Sequence, residues 1–305
     1  MFKLNTYIIY RNKIYTYEKF FKSIICSALV LFAMPSFAQT EQMTIHFKNG
    51  DKVVYPVTDI EEISYSVIDT PEPVKEVEVG DYYYSDGTWS SGKEAPLADK
   101  TCIGIVFCKG LCPEAEDDCE YKLKDGVTPL DEVHGYVVAI NNAAESAAWG
   151  SWDADGDEGV GTSYDQTDFR GYSNTQAIKA KAEAEAGGLS DDADNNYPAA
   201  YYATEVYEST VPAPESSTGW FLPSAFQLKY IYNHNEEFND NFDKVEGGKA
   251  VYGRDAIYWS SSECFKSSLR YWAYMVNLDS SNITPGYISN QAKKKTYEVR
   301  SILVF

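Results

Sequence analysis

Three short segments in the last third of the chain restrict its fold more than any other feature: GWFLPS (Gly219 to Ser224), YWSSSE (Tyr258 to Glu263) and YEVRSILVF (Tyr297 to Phe305). In the first, Pro223 fixes the backbone just before Ser224, a residue suited to cap a helix. Phe226, Leu228, Ile231 and Tyr230 then recur with helical spacing and give that helix an apolar face. In the second, Trp259 reads as an inward anchor, with Ser260, Ser261 and Ser262 where the strand turns out to solvent. In the third, Val299, Ser301, Leu303 and Phe305 alternate with Arg300, Ile302 and Val304. Apolar side chains fall on both faces, so this strand is expected to be central and covered. A buried Arg300 is expected to pair with a carboxylate, because an unpaired buried charge is costly.

The opening residues belong to a different class of sequence. Lys3, Arg11, Lys13, Lys19 and Lys22 form a basic region with Glu18 as its one acid. Ser23 to Met34 is apolar, and Ser36-Phe37-Ala38 has the small-x-small form of a cleavage site before Gln39. Residues 1–38 therefore read as a signal peptide, with an uncleaved anchor as the alternative. The apolar run is too short to span a bilayer as a helix. The formal charge of the chain is −20, and loss of this segment makes it more negative. Such a chain repels phosphate backbones, which makes nucleic acid and anionic membrane surfaces poor partners, and no nucleic-acid partner is expected. After residue 38 no stretch reads as an integral membrane segment.

Residues 39–68 read as a small β-hairpin unit. Ile45 and Phe47 alternate with polar residues, Asn49-Gly50 suits a tight turn, and Val53, Tyr55 and Val57 return. Ile60, Ile63 and Tyr65 suit a third strand. Residues 69–78, rich in proline and charge, read as a linker. The main domain is placed at 79–305. Its early strands are Asp81 to Tyr84, Ile103 to Phe107 and Tyr136 to Ile140, before a loop from Asn141 to Phe169. A helix runs from Ser173 to Ala186, capped by Ser173 or Asn174 and ended by Gly187-Gly188. Pro198 to Tyr207 fits strand or helix. From Tyr258 onward the pattern is strands. Early strands, two helices and a final run of antiparallel strands make an α+β pattern rather than alternating βαβ units.

Five cysteines follow the signal segment: Cys102, Cys108, Cys112, Cys119 and Cys264. An exported compartment permits disulfides, and the odd count leaves at least one thiol outside any intramolecular pair. Cys112 and Cys119 flank a loop-like acidic stretch and are the favoured pair, with connectivity open. There is no CxxC pair, which argues against zinc.

The three segments, with the Trp272 strand, HGYVVAI (His134 to Ile140), Trp149-Gly150 and GYSNTQAI (Gly171 to Ile178), resemble the C-terminal domain of Legionella collagen-like proteins. They are similar also to the Fibrobacter succinogenes major paralogous domain, in the form found in Bacteroidetes-type surface proteins. The resemblance covers about Val79 to Phe305. It implies a C-type-lectin-like α+β fold, of the kind formylglycine-generating enzymes also use, with long loops displayed on one side. Members are mostly secreted or surface-attached, with binding or adhesion roles. The short N-terminal β unit resembles the leader ahead of many such proteins.

Candidate site residues cluster in the 141–169 loop, and the serines Ser260, Ser261 and Ser262 after Trp259 are further candidates for ligand contact. Asp153, Asp155 and Asp157 place alternate carboxylates where Ca²⁺ takes oxygen ligands. Glu158 stands where the EF-hand pattern needs glycine, and Tyr164 where it needs glutamate. The alternative is a solvated acidic loop. Trp149 and Trp152 flank this loop and suit stacking on a sugar ring, or packing beneath it. The calcium-dependent sugar signatures of true C-type lectins are absent. A formylglycine-generating enzyme needs a late cysteine pair, whereas Cys264 stands alone in the last third, and no Ser-His-Asp set can be assembled. The reading is an exported, non-enzymatic binding or adhesion module, extracellular or on the outer surface, that recognises a glycan or protein ligand. A structural subunit of a surface fibre, docking through residues 43–65, is the alternative.

Overall fold

The computed structural model describes residues 27–28, 42–46, 51–56, 76–112, 120–150, 159–264 and 272–305. The chain divides into two compact units, Met1–Val74 and Lys75–Phe305.

In the first unit, β1 (Ser27–Ala28), β2 (Gln42–His46) and β3 (Lys52–Pro56) form one antiparallel sheet in the order β1-β2-β3. The β2–β3 register pairs Ile45 with Val53 and His46 with Lys52. Val53 and Val54 on β3 are exposed. The suggested third strand at Ile60 to Tyr65 lies outside the described residues.

The second unit is α+β, with two five-stranded, mainly antiparallel sheets and few helices. The first sheet uses β4 (Tyr82–Tyr84), β5 (Trp89–Ser90), β6 (Cys102–Lys109), β7 (Gly135–Ala139) and β13 (Ile302–Val304), ordered β13-β7-β6-β4-β5. The second uses β8 (Ala144–Ala148), β9 (Ile257–Glu263), β10 (Trp272–Asn277), β11 (Tyr287–Ala292) and β12 (Thr296–Val299), ordered β11-β10-β9-β12-β8. Its one parallel contact joins Glu298 of β12 to Tyr258 of β9.

The C-terminal segment is therefore two strands rather than one. β12 and β13 lie in different sheets, and Arg300 and Ser301 make the crossing between them. The expectation of cover on both faces holds for β13. Ile302 and Val304 join the core cluster with Phe107, Tyr136, Phe169 and Leu228. Leu303 and Phe305 join a second cluster with Tyr83, Val137 and Trp220. Phe221 of the GWFLPS segment bridges to Ile302, so the free edge of β13 is also closed.

Helix α1 (Gly171–Ala186) ends as its sequence suggests, with Gly187 left-handed at φ 73°. Its start differs from expectation. Arg170 is the capping position and no side chain caps there; Asn174 is instead buried, its Oδ1 accepting from Ser163 N–H at 2.7 Å. The ambiguous 198–207 segment is helical: α2 (Pro198–Tyr201), a π-helical turn (Tyr202–Val206) and α3 (Tyr207–Thr210). Helix α4 (Ala225–Asn233) opens with a capping box. Ser224 Oγ accepts from Gln227 N–H, and Ser224 N–H donates to Gln227 Oε1 at 2.7 Å. Leu228 and Ile231 are fully buried on the face the spacing predicts.

α1 and α4 meet at that cap. A Cβ placed on Gly171 would stand 2.1 Å from Gln227 Oε1 and 2.8 Å from Ser224 N. Only a residue without a side chain lets the first turn of α1 sit there. Gly171→Ala should therefore destabilise the unit by about 1–3 kcal/mol. Urea unfolding measures this as a lower midpoint at unchanged slope.

Candidate functional site

β8 lies inside the stretch expected to be a loop. Its sequence, Ala-Glu-Ser-Ala-Ala, has no β-branched or aromatic residue, so nothing local announces a strand. Pairing with β12 makes it one. It ends at Trp149 and Gly150, the point from which the acidic 151–158 segment departs.

The stems on either side of that segment are held by the two residues of one buried ion pair. Lys293 Nζ meets Glu263 Oε1 at 2.7 Å, with side chains 0% and 3% exposed. On the entering side, Trp149 N–H donates to the Lys293 carbonyl at 2.8 Å. On the leaving side, Val160 N–H and Thr162 Oγ donate to Glu263 Oε2 at 3.0 and 3.1 Å. Thr162 Oγ also accepts from Glu263 N–H at 3.0 Å. Every polar atom of the carboxylate is thus engaged, the condition under which a buried pair is tolerated.

Trp149 belongs to this base rather than to a binding surface. It is 1% exposed, its indole N–H donates to the Ser260 carbonyl at 2.7 Å, and Lys293 Nζ lies 4.5 Å from its ring centre. Tyr197 packs edge-on at 5.9 Å. A ring so enclosed cannot stack on a sugar, which corrects that expectation in favour of packing. Trp152, Asp153, Asp155 and Asp157 lie outside the described residues.

Ser260, Ser261 and Ser262 do not turn out to solvent: all three are fully buried. β9 sits inside its sheet between β10 and β12, with α1 and α4 against it. The hydroxyls serve these contacts. Ser260 Oγ donates to the Tyr274 carbonyl at 2.7 Å, Ser261 Oγ accepts from Asn174 Nδ2 at 3.3 Å, and Ser262 Oγ accepts from Ala225 N–H at 3.2 Å. The last contact satisfies one of the open donors in the first turn of α4.

Arg300 also departs from expectation. Its guanidinium, fully buried, is held by neutral oxygens: Nε donates to the Ala139 carbonyl at 2.9 Å, Nη1 to Asn142 Oδ1 at 2.9 Å and Nη2 to the Lys249 carbonyl at 2.5 Å. Phe242 lies beneath it at 5.1 Å. Burial pulls its pKa below the usual value, opposed by Tyr258, Tyr207, Glu298 and Glu145. The carboxylates pair elsewhere, with Lys249 Nζ 2.6 Å from both Glu145 and Glu298.

Cys112 is buried in the first core cluster, and its suggested partner Cys119 lies outside the described residues. Burial pushes the Cys102 thiol from 9.0 to about 11, which leaves little thiolate for chemistry at neutral pH. Among the described residues, no three His, Cys, Asp or Glu side chains gather to hold a metal ion. No helix there is long and apolar enough to cross a membrane. An open groove of about 350 Å³ beside α1, lined by Gln176, Lys179, Glu183, Leu189 and Glu205, contains none of the residues singled out in the sequence.

No protein-family model matches the chain. A Bacteroides ovatus protein named "Putative fimbrium tip subunit Fim1C" is 25% identical over 268 residues, covering 77% of this chain and 46% of that protein. The chain thus spans about half the length of the curated relative it matches. The crystal structure of a fimbrial protein from Bacteroides ovatus shares the fold. Its TM-score is 0.51 at 19% identity, over 88% of this chain and 57% of that one.

Proposed function

We propose that this chain is a structural subunit of a fibre on the bacterial cell surface, exported through its N-terminal segment and not an enzyme. The observation that carries this reading is the similarity, over 77% of the chain, to a protein described as a fimbrium tip subunit. The shared fold with a fimbrial protein supports it. So does the site chemistry: Ser260, Ser261 and Ser262 are spent on packing, and burial raises the Cys102 thiol. In this reading the β2–β3 unit docks on a neighbouring subunit, because so small a sheet buries little by itself. Deleting residues 39–68 should leave the second unit folded, with its melting transition retained, while the chain disappears from sheared surface fibres. Undiminished incorporation of the deleted chain would overturn the docking role.

Ligand binding at the end of such a fibre is the second reading, favoured by the way Lys293 and Glu263 fix both stems of the 151–158 segment. The C-type-lectin-like resemblance belongs here, as do a glycan or protein ligand and Ca²⁺ on Asp153, Asp155 and Asp157. Bound calcium would raise the melting temperature. An unchanged midpoint at millimolar calcium would remove that element.

A further inference from the structure

The Lys293–Glu263 pair holds an amine-bearing and a carboxyl-bearing side chain in contact. Nζ and Oε1 stand 2.7 Å apart in a place that solvent does not reach. Keeping two ions there costs several kcal/mol each before their attraction is counted. For the amine to attack, one proton must pass from the ammonium to the carboxylate, and the 2.7 Å contact gives that proton a direct path. The second carboxyl oxygen, Oε2, already accepts from Val160 N–H and Thr162 Oγ. Those two donors lie where negative charge gathers when an amine adds to a carboxyl carbon. The Trp149 ring, 4.5 Å from Nζ, closes the amine off from water.

We propose that Lys293 and Glu263 become joined by an intramolecular amide bond. The Nζ–Cδ bond forms and the Cδ–Oε1 bond breaks. Oε1 leaves as water, carrying one proton from the acid and one from the amine. Nothing is oxidised or reduced, and no co-reactant is needed. Fixed proximity raises the effective concentration of one group at the other far above that of two groups free in solution. The product removes two buried charges and releases one water, so the fold that costs the ions favours the bond. The link would tie the end of β9 to the turn after β11, spanning β10 between them. Load along the chain would then pass through a covalent bond rather than through the ladders of that sheet, a property suited to a fibre.

Intact mass spectrometry of the purified full chain, folded at neutral pH and denatured for measurement, tests this. The expected mass is one water below that required by the sequence, with trypsin unable to cut after Lys293 and a branched peptide joining the two segments. Lys293→Arg keeps the charge and should restore the full mass. A chain held in urea from the start should also keep it, because the reaction needs the fold. A folded wild-type chain at full mass with two unlinked peptides would overturn the proposal, whether or not the variant folds. A water loss that persists in Lys293→Arg would place the lesion elsewhere and overturn it equally.

Discussion

Replacing Arg300 with alanine should cost the second unit about 3–5 kcal/mol through its lost hydrogen bonds, a large fraction of the stability of a marginally stable domain. The residue stands where the chain leaves one sheet for the other, between Val299 and Ser301. Its three donors hold three separate stretches: the end of β7 through Ala139, the following turn through Asn142, and the 249 loop through Lys249. Truncation leaves the Ala139 carbonyl buried without this donor and the Lys249 carbonyl and Asn142 amide oxygen partly buried without theirs, each worth up to about 1–3 kcal/mol. It also removes the planar group that covers Phe242. Lysine should recover little, because one ammonium cannot reach three oxygens in a plane. Equilibrium denaturation of Arg300→Ala and Arg300→Lys checks this, and a loss below about 1 kcal/mol in both would show that the crossing is held by other contacts.

Trp259→Ala is the second large effect, expected at about 3–5 kcal/mol. The indole is fully buried against Leu222, Met275 and Val299, with Tyr297 edge-on at 4.9 Å. Its N–H donates to the Ala147 carbonyl at 3.0 Å, which ties the edge strand β8 to the middle of its sheet. Trp259→Phe should recover most of the packing and lose that bond. The difference between Trp259→Phe and the wild type therefore reports the hydrogen bond, about 1 kcal/mol. Thermal unfolding of both variants against the wild type gives these values. Equal stability of Phe and wild type would mean that the indole N–H is not used.

These two residues mark how far the sequence could be read. Trp259, Leu228, Ile231 and the Ser224 cap were legible because spacing and cap chemistry are local. The α+β class followed from the order of such elements. β8 was not legible, since Ala-Glu-Ser-Ala-Ala becomes a strand only through its partner β12. The split of the C-terminal segment was hidden for a related reason: alternation continues across Arg300 although the sheet changes. The candidate site suffered most. A serine run after a tryptophan looks like a strand leaving the core, but here the hydroxyls are consumed by α1, α4 and β10. Trp149 looked like a loop aromatic because its cover, Lys293 and Tyr197, comes from distant sequence. The Glu263–Lys293 pair carried no signal, because a pairing between residues thirty apart has no local pattern.

The fibre assignment rests on a relative of which the chain covers 46% and on a shared fold. The most direct test is to shear surface filaments from cells that express the chain and label them with antibody to the second unit. The assignment predicts gold particles on filaments in electron micrographs, and the chain in the filament fraction. Recovery of the chain solely in the soluble cell fraction, with unlabelled filaments, would contradict it.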